Sequence, residues 1–238
     1  MDDTLKRTKA IQNNEALYAS VFKAHGIELQ KNEHIYFSTQ KVPPLNSNIC
    51  TKSPAWRPDA IFEEVAKTAE IEGWESWSIK DSFACLQLHE RAFKKLFDAH
   101  WLYIPAHTSR SGGKPSLSFL PVLSDADLAR WVTLWGEAPE LYTSAMLADP
   151  NLFFVIGTED GEERYAALLN RTDDVIGVSN FFPKDKTTQR WADLLQYIYD
   201  AWGPVDVVGY ERTEVLDALL PLGAEKVGDL TVWITAEA

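Results

Sequence analysis

The sequence predicts an α/β fold, of the α+β type, in which helices flank a mixed, mostly antiparallel sheet. From residue 116 onwards, short apolar strands alternate with amphipathic helices in the order β-α-α-β-β-β-α-β-α-β. Two connectors, at 159–162 and 172–174, are short and polar, as in hairpins. The three strands that they join are therefore expected to be antiparallel neighbours.

The first 115 residues contain a different series of elements. A helix is predicted to about residue 25, followed by a long irregular segment at 42–58, a helix at 59–72 and a strand at 75–83. Phe93 and Phe97 are four residues apart, which predicts a short helix at 90–98 before a strand-like run at 101–104.

Helix signals are clearer in the second half. Ser124 and Asp127 resemble a capping box, and a further helical stretch is predicted at 140–148. A helix that starts near Thr187 has one strongly apolar face, made by Trp191, Leu194, Leu195, Ile198 and Trp202. Thr213 is expected to cap a helix between a buried strand at 205–209 and a last strand at 230–234.

Charge and composition predict two units. Residues 1–115 carry 15 basic and 14 acidic side chains, whereas residues 116–238 carry 8 and 21. The change coincides with residues 107–115, HTSRSGGKP, which have the composition of a linker. We therefore expect an N-terminal α/β unit at 1–106 and a second domain at 116–238. Asp81 and Trp101 are separated by 20 residues with a predicted helix between them, and Glu211 and Trp233 by 22 residues in a similar way. This weak similarity allows the first unit to be a degenerate repeat of the second.

The composition also excludes several classes of partner. The chain of 238 residues has a formal charge of −12, which disfavours nucleic acid and anionic membranes. It has no long apolar stretch, and its polar start lacks an export signal, so a cytoplasmic, non-membrane protein is expected. The two cysteines and five histidines show no metal-site spacing. The oligomeric state is not indicated.

The sequence gives little support for a serine hydrolase. Residues 177–181, GVSNF, nearly match a G-x-S-x-G nucleophile elbow around Ser179. The last glycine is replaced by Phe181, and all five histidines lie before Ser179 in the chain. The usual order of serine, acid and histidine is therefore not available.

Several segments resemble the GNAT acetyltransferases, most clearly over residues 116–238. Residues 175–182 and the helix after them resemble the central strand and pyrophosphate-binding helix of that family. Residues 207–211 and 222–233 resemble its last strand-helix-strand unit. The combination of KDSF at 80–83, LFDAHW at 96–101 and VSN at 178–180 is similar to a group of bacterial GNAT-like proteins. The resemblance implies a GNAT-like fold and acetyl-CoA as cofactor.

The resemblance also implies where the cofactor binds. A splayed strand offers backbone groups to pantetheine amides, and the start of the next helix attracts the pyrophosphate. Three basic side chains gather near that helix start in an otherwise acidic half. The predicted cofactor residues are Ser179, Asn180, Phe181, Lys184, Lys186, Thr187, Thr188 and Arg190.

Acyl transfer needs a proton acceptor and a proton donor beside the thioester. Glu211 is the candidate base, acting through a water, and Tyr210 is the candidate acid, although adjacent residues of a strand point to opposite faces. Asp81 is a further catalytic candidate from the first unit. The predicted acceptor-side residues are Asn170, Trp56 and Trp77. The acceptor itself, an amine on a small molecule or a peptide, is not specified.

An alternative activity class remains open. GNAT enzymes usually have a Q/R-x-x-G-x-G/A loop, whereas residues 182–189 here contain no glycine and include Asp185, which would oppose an anion. This departure favours a non-catalytic GNAT-fold module that binds a small molecule or a protein.

Overall fold

The protein is represented by a computed structural model, which describes residues 1–54, 63, 76–89, 93–106, 115–182 and 187–235. The α-helices whose bounds are described are α1 (Asp3–Ala24), α2 (Asp125–Trp135), α3 (Ser144–Leu147), α4 (Thr188–Trp202) and α5 (Thr213–Leu219), and short 3₁₀ helices lie at Pro139–Leu141 and Leu220–Leu222. The strands are β1 (Gln30–Lys31), β2 (Ile35–Phe37), β3 (Ile49–Thr51), β4 (Ser78–Asp81), β5 (Phe93–Ile104), β6 (Ser118–Pro121), β7 (Leu152–Glu159), β8 (Glu162–Thr172), β9 (Val175–Phe182), β10 (Asp206–Glu211) and β11 (Glu225–Thr235).

All these strands form one sheet, in the order β1-β2-β3-β4-β11-β5-β10-β9-β8-β7-β6. Two neighbouring pairs are parallel, β3 with β4 and β9 with β10, and the other described pairs are antiparallel. The predicted fold class, a mixed and mostly antiparallel sheet with flanking helices, is confirmed.

The order of the strands has an approximate two-fold symmetry about its centre. On one side β4 pairs with β11 and is parallel to β3, and on the other side β10 pairs with β5 and is parallel to β9. β5 and β11 lie antiparallel to each other in the middle. The last described strand of each half thus lies beside the other half, β5 next to β10 and β11 next to β4.

Helices cover both faces of the sheet. α1 buries Ala10 and Ile11 against Trp101 and Val208, and its later turns bury Tyr18 and Phe22 in a second cluster. The opposite face packs against α4, which buries Trp191, Leu194, Leu195 and Ile198 as its predicted apolar face requires. The helix-and-sheet layers therefore leave the ends of the strands as the places where a site can form.

The helix predicted at 90–98 is wrong, because residues 93–104 form β5. The register of β5 with β11 shifts between Phe97–Val232 and Lys95–Trp233, so Leu96 is an extra residue at a bulge. The bulge interrupts the alternation of buried and exposed side chains. A spacing of four residues fits one face of a helix and also one face of a regular strand, but the bulge places Phe93 and Phe97 in two different clusters.

Other elements follow the sequence more closely. Ser124 caps α2 by accepting a hydrogen bond from the Asp127 N–H at 3.2 Å, and the two predicted hairpins form. The stretch at 140–148 is shorter than predicted, with one 3₁₀ turn and α3. The helix expected at 59–72 falls almost entirely outside the described residues, as does nearly all of the linker expected at 107–115. The division into units at 1–106 and 116–238 stays a prediction.

Candidate functional site

The candidate site lies where β9 and β10 separate. Their parallel pairing begins at Val175 and Asp206 and, in the described residues, ends at Val178 and Gly209. β10 continues to Glu211 along β5, while β9 takes a different course at Asn180, which has a φ of +53° and lies at a register shift against β8. On the side away from β8, the backbone of β9 after Val178 therefore faces a gap instead of a neighbouring strand.

Gly209 marks the last contact before the gap. A Cβ atom at this position would lie 2.9 Å from the Val178 carbonyl oxygen, which is closer than side chains approach backbone in folded proteins. A glycine thus lets the two parallel strands meet closely at the point where they diverge.

A cleft of about 400 Å³ occupies the gap. Its lining combines apolar and charged side chains from β5, β9, β10 and the segments next to α2 and α5. The lining residues are Phe97, Trp135, Glu137, Val178, Ser179, Asn180, Phe181, Phe182, Tyr210, Glu211, Arg212, Glu214 and Val215. Three glutamates and one arginine make this lining acidic.

The structure brings five of the predicted site residues to this cleft: Ser179, Asn180, Phe181, Tyr210 and Glu211. The Phe181 side chain packs in the core against Trp191, with ring centres 4.9 Å apart, so its backbone is the part that can face a ligand. No histidine lines the cleft among the described residues, which leaves Ser179 there without the base of a hydrolase.

Asn180 is held by a residue that the sequence did not single out. Its Nδ2 donates to the Tyr142 hydroxyl at 2.7 Å. Tyr142 is buried and packs edge-on against Trp131, with ring centres 4.6 Å apart, and burial raises the pKa of its hydroxyl above the ordinary value. The hydroxyl therefore stays neutral and fixes the Asn180 amide. Asn180 is thereby stabilised in a left-handed conformation that few residues other than glycine adopt readily.

Tyr210 and Glu211 reach the cleft from opposite faces of β10, as expected from their adjacency in a strand. The Tyr210 ring packs edge-on against Trp101, with centres 5.5 Å apart, on the α1 side. Glu211 is paired in register with His100 of β5. Because the gap opens through the sheet, a ligand there can contact both side chains.

Lys80 lies directly behind Tyr210 and was not predicted as a site residue. It is 2% exposed, and its Nζ is 3.0 Å from Asn14 Oδ1 and 3.4 Å from the Tyr210 hydroxyl. The same Nζ lies 4.6 Å from the centre of the Tyr18 ring. Within the described part of the chain, Lys80 forms no ion pair with a carboxylate, so its neighbours are hydroxyl, amide and aromatic groups.

The start of α4 has only some of the features that a phosphate-binding site needs. Thr187 is the N-cap and accepts from the Arg190 N–H at 3.4 Å, and Thr188 begins the helix. The Arg190 guanidinium, however, pairs with Glu159 Oε1 at 2.8 Å and lies over the Tyr165 ring. The predicted phosphate ligand is thus engaged by a carboxylate. Lys184 and Lys186 lie outside the described residues.

The remaining predicted residues are not brought to the cleft. Asp81 is the fully buried last residue of β4 and accepts from the backbone N–H groups of Leu86 at 2.7 Å and Phe83 at 3.2 Å. Burial raises the pKa of its carboxyl, and these hydrogen bonds offset part of the rise. Trp77 packs edge-on against Phe93, with ring centres 5.1 Å apart. Trp56 falls outside the described residues.

Asn170 joins β8 to α1. Its Nδ2 donates to the Asn13 carbonyl at 3.0 Å, and Asn13 Nδ2 in turn donates to the Asn170 carbonyl at 3.2 Å. Asn170 is 2% exposed, so these reciprocal bonds replace contact with water. This placement gives Asn170 a role in attaching the N-terminal helix, away from the β9–β10 gap.

No helix in the described residues is long and apolar enough to cross a membrane. Over the same part of the chain, no group of three or more histidine, cysteine, aspartate or glutamate side chains is placed to hold a metal ion.

No family model and no curated protein matches the sequence. Solved structures do match. A GCN5-related N-acetyltransferase from Kribbella flavida aligns with a TM-score of 0.67 and 13% identity, covering 95% of each chain. A conserved protein of unknown function from Staphylococcus epidermidis aligns with a TM-score of 0.66 and 12% identity, over 91% of this chain and 98% of that one.

A third solved structure also aligns with this chain. It is a tandem GNAT protein from the clavulanic acid biosynthesis pathway, with a TM-score of 0.52, 11% identity and coverage of 86% of this chain and 78% of that one. At sequence identities of 11–13%, these alignments show a shared fold. The chain has the fold of the GCN5-related N-acetyltransferases, as its sequence resemblance to GNAT proteins implied.

Proposed function

We propose that the protein transfers an acetyl group from acetyl-CoA to an amine, with the thioester bound in the gap between β9 and β10. The divergence of these two strands after Val178 and Gly209 is the observation that carries the proposal. On the side away from β8, it leaves peptide groups within residues 179–182 available to hydrogen-bond the amides of a pantetheine chain.

Bound acetyl-CoA would supply the activated acetyl group. Glu211 takes a proton from the acceptor amine, directly or through a water, so that the nitrogen can attack the thioester carbonyl. Tyr210 would supply the proton that the sulfur of the bound thioester takes up as its bond to the acyl carbon breaks. Since Lys80 Nζ faces the Tyr210 oxygen at 3.4 Å, its positive charge favours the negative charge that proton donation leaves there.

The acceptor is proposed to be a cationic amine on a small molecule or peptide. Glu137, Glu211 and Glu214 line the cleft against the single charge of Arg212, which gives the lining an excess of two negative charges. A lining of this sign attracts polyamines and repels acidic peptides. Transfer rates should therefore be higher with spermidine than with a glutamate-rich peptide of similar length, and the difference should shrink in high salt.

Isothermal titration with acetyl-CoA tests the cofactor assignment. We expect binding heat with the wild type, and weaker heat with Val215→Trp, which places a much larger side chain in the lining of the cleft. Thr133→Val, a substitution on the outer face of α2, serves as the control and should bind as the wild type does. Absence of heat at millimolar acetyl-CoA would refute the assignment.

The second candidate function is a GNAT-fold binding module without transferase activity. The Arg190–Glu159 ion pair favours it, because it engages the one described basic side chain of the predicted phosphate site. This alternative predicts that acetyl-CoA does not raise the melting temperature of the protein. Thermal stabilisation by acetyl-CoA, together with acetylation of an amine, would exclude it.

A further inference from the structure

Thr213 belongs to a chain of three hydrogen-bonded side chains at the margin of the cleft. His100 Nδ1 lies 2.6 Å from Asp229 Oδ1, and His100 Nε2 lies 2.9 Å from Thr213 Oγ1. The three residues come from β5, β11 and the start of α5. The residues on either side of Thr213, Arg212 and Glu214, line the cleft.

The direction of these hydrogen bonds follows from the chemistry of the groups. An ionised carboxylate can only accept, so in its neutral form the His100 ring carries its proton on Nδ1 and donates it to Asp229. Its Nε2 then carries a lone pair and accepts the Thr213 hydroxyl proton. Partial burial raises the pKa of Asp229, but hydrogen bonds from Lys226 and His100 outweigh this and lower it overall, which keeps the carboxylate ionised.

The sheet holds the base and its carboxylate in place. His100 is paired in register with Asp229 on one side and with Glu211 on the other. The His100 side chain is 14% exposed, whereas Thr213 is an exposed residue. A shielded base next to an accessible hydroxyl is the arrangement that a nucleophilic site requires.

The Thr213 hydroxyl is not used by the helix that it begins. Thr213 was expected to be the N-cap of α5, but Arg212 occupies that position, and no side chain caps the helix there. The hydroxyl is instead bound to His100. Its position is therefore explained by the histidine and not by the needs of the helix.

We propose that Asp229, His100 and Thr213 form a triad in which the Thr213 hydroxyl accepts an acyl group from an activated ester or thioester. The Thr213 oxygen forms a bond to the acyl carbon as the bond from that carbon to the leaving sulfur or oxygen breaks. His100 takes the hydroxyl proton and returns it to the leaving group, while Asp229 holds the ring in the required tautomer. The products are an acyl-threonine ester and a free thiol or alcohol.

The experiment uses the full chain and p-nitrophenyl acetate, which needs no CoA site. Intact-mass spectrometry should detect the addition of one acetyl group, peptide mapping should place it on Thr213, and hydroxylamine should remove it as an ester. Thr213→Val should lose this modification, and Asp229→Asn should slow it by about 100-fold or more through loss of the tautomer. Thr133→Val is the matched control for an exposed helix threonine that has no histidine partner.

The outcomes separate this proposal from the transferase proposal. Labelling of Thr213 by the ester, in a protein that does not bind acetyl-CoA, supports the triad and counts against the transferase. A protein that binds and uses acetyl-CoA, but is not acetylated at Thr213 by either reagent, overturns the triad alone. Equal labelling of Thr213 in the wild type and in His100→Gln also overturns it, provided circular dichroism shows both to be folded.

Discussion

Asn13 and Gly177 are in such close contact that no side chain fits between them: a Cβ atom at Gly177 would lie 1.9 Å from Asn13 Oδ1. The same atom would lie 2.4 Å from Asn170 Oδ1. The reciprocal hydrogen bonds between Asn13 of α1 and Asn170 of β8 therefore lie directly over Gly177 of β9.

Gly177→Ala is expected to destabilise the protein by about 1–3 kcal/mol, since the added methyl group must displace a buried, hydrogen-bonded amide. Urea unfolding followed by circular dichroism measures this change. Asn13→Ala removes the nearest obstacle, so the double variant should be destabilised by less than the sum of the two single variants. Additive losses would show that the contact does not cause the effect.

Substitutions at Asn180 should separate its backbone conformation from its hydrogen bond to Tyr142. Asn180→Ala loses both the bond and a residue that tolerates a positive φ, whereas Asn180→Gly loses only the bond. We expect the alanine variant to be less stable than the glycine variant by about 1 kcal/mol. Thermal unfolding of both variants checks this order, and a more stable alanine variant would contradict it.

Lys80→Met tests the role of the buried ammonium behind Tyr210. The substitution keeps an unbranched side chain but removes the charge beside the hydroxyl, so the transfer rate should fall by about 10- to 100-fold with little change in KM for acetyl-CoA. Tyr210→Phe is the companion variant. If Lys80 acts through Tyr210, the double variant should be no slower than Tyr210→Phe alone, and a further loss would indicate an independent role.

Both thiols should react slowly with iodoacetamide near neutral pH. Burial, with the nearby Asp81 charge, raises the pKa of Cys85 to about 11, and burial raises that of Cys50 to about 11 as well. Because the thiolate is the reactive form, labelling of the exposed Cys85 should rise about tenfold per pH unit until the pH approaches the pKa. Mass spectrometry of the native protein follows it. Rapid labelling of Cys85 at pH 7 would contradict the raised pKa.

The sequence predicted the second half well because its signals are local. The apolar face of α4, the capping box at Ser124 and the hairpins around β8 depend on residues close together in the chain. Ser179, Asn180, Phe181, Tyr210 and Glu211 were placed together by the family resemblance and do line one cleft.

The residues that were missed depend on contacts between distant segments. Lys80 reaches Tyr210 and His100 reaches Asp229 only because β4, β5, β10 and β11 are neighbours in the sheet. β5 was missed for a related reason, because the spacing of Phe93 and Phe97 fits a helix as well as a strand, and only the pairing with β11 shows that the segment is a bulged strand. The hydrophobic periodicity of a single segment does not show which strands become neighbours in the sheet.

The position of β11 beside β4 also bears on how the chain folds. β4 ends at residue 81, but its neighbour β11 begins at residue 225, so the first half of the sheet stays incomplete until nearly all of the described chain has left the ribosome. Pairing over such sequence distances is slow, and meanwhile the edge of β4 is open to other chains. Removal of β11 should therefore harm the first half of the molecule as much as the second. Folding of either half depends on synthesis of both.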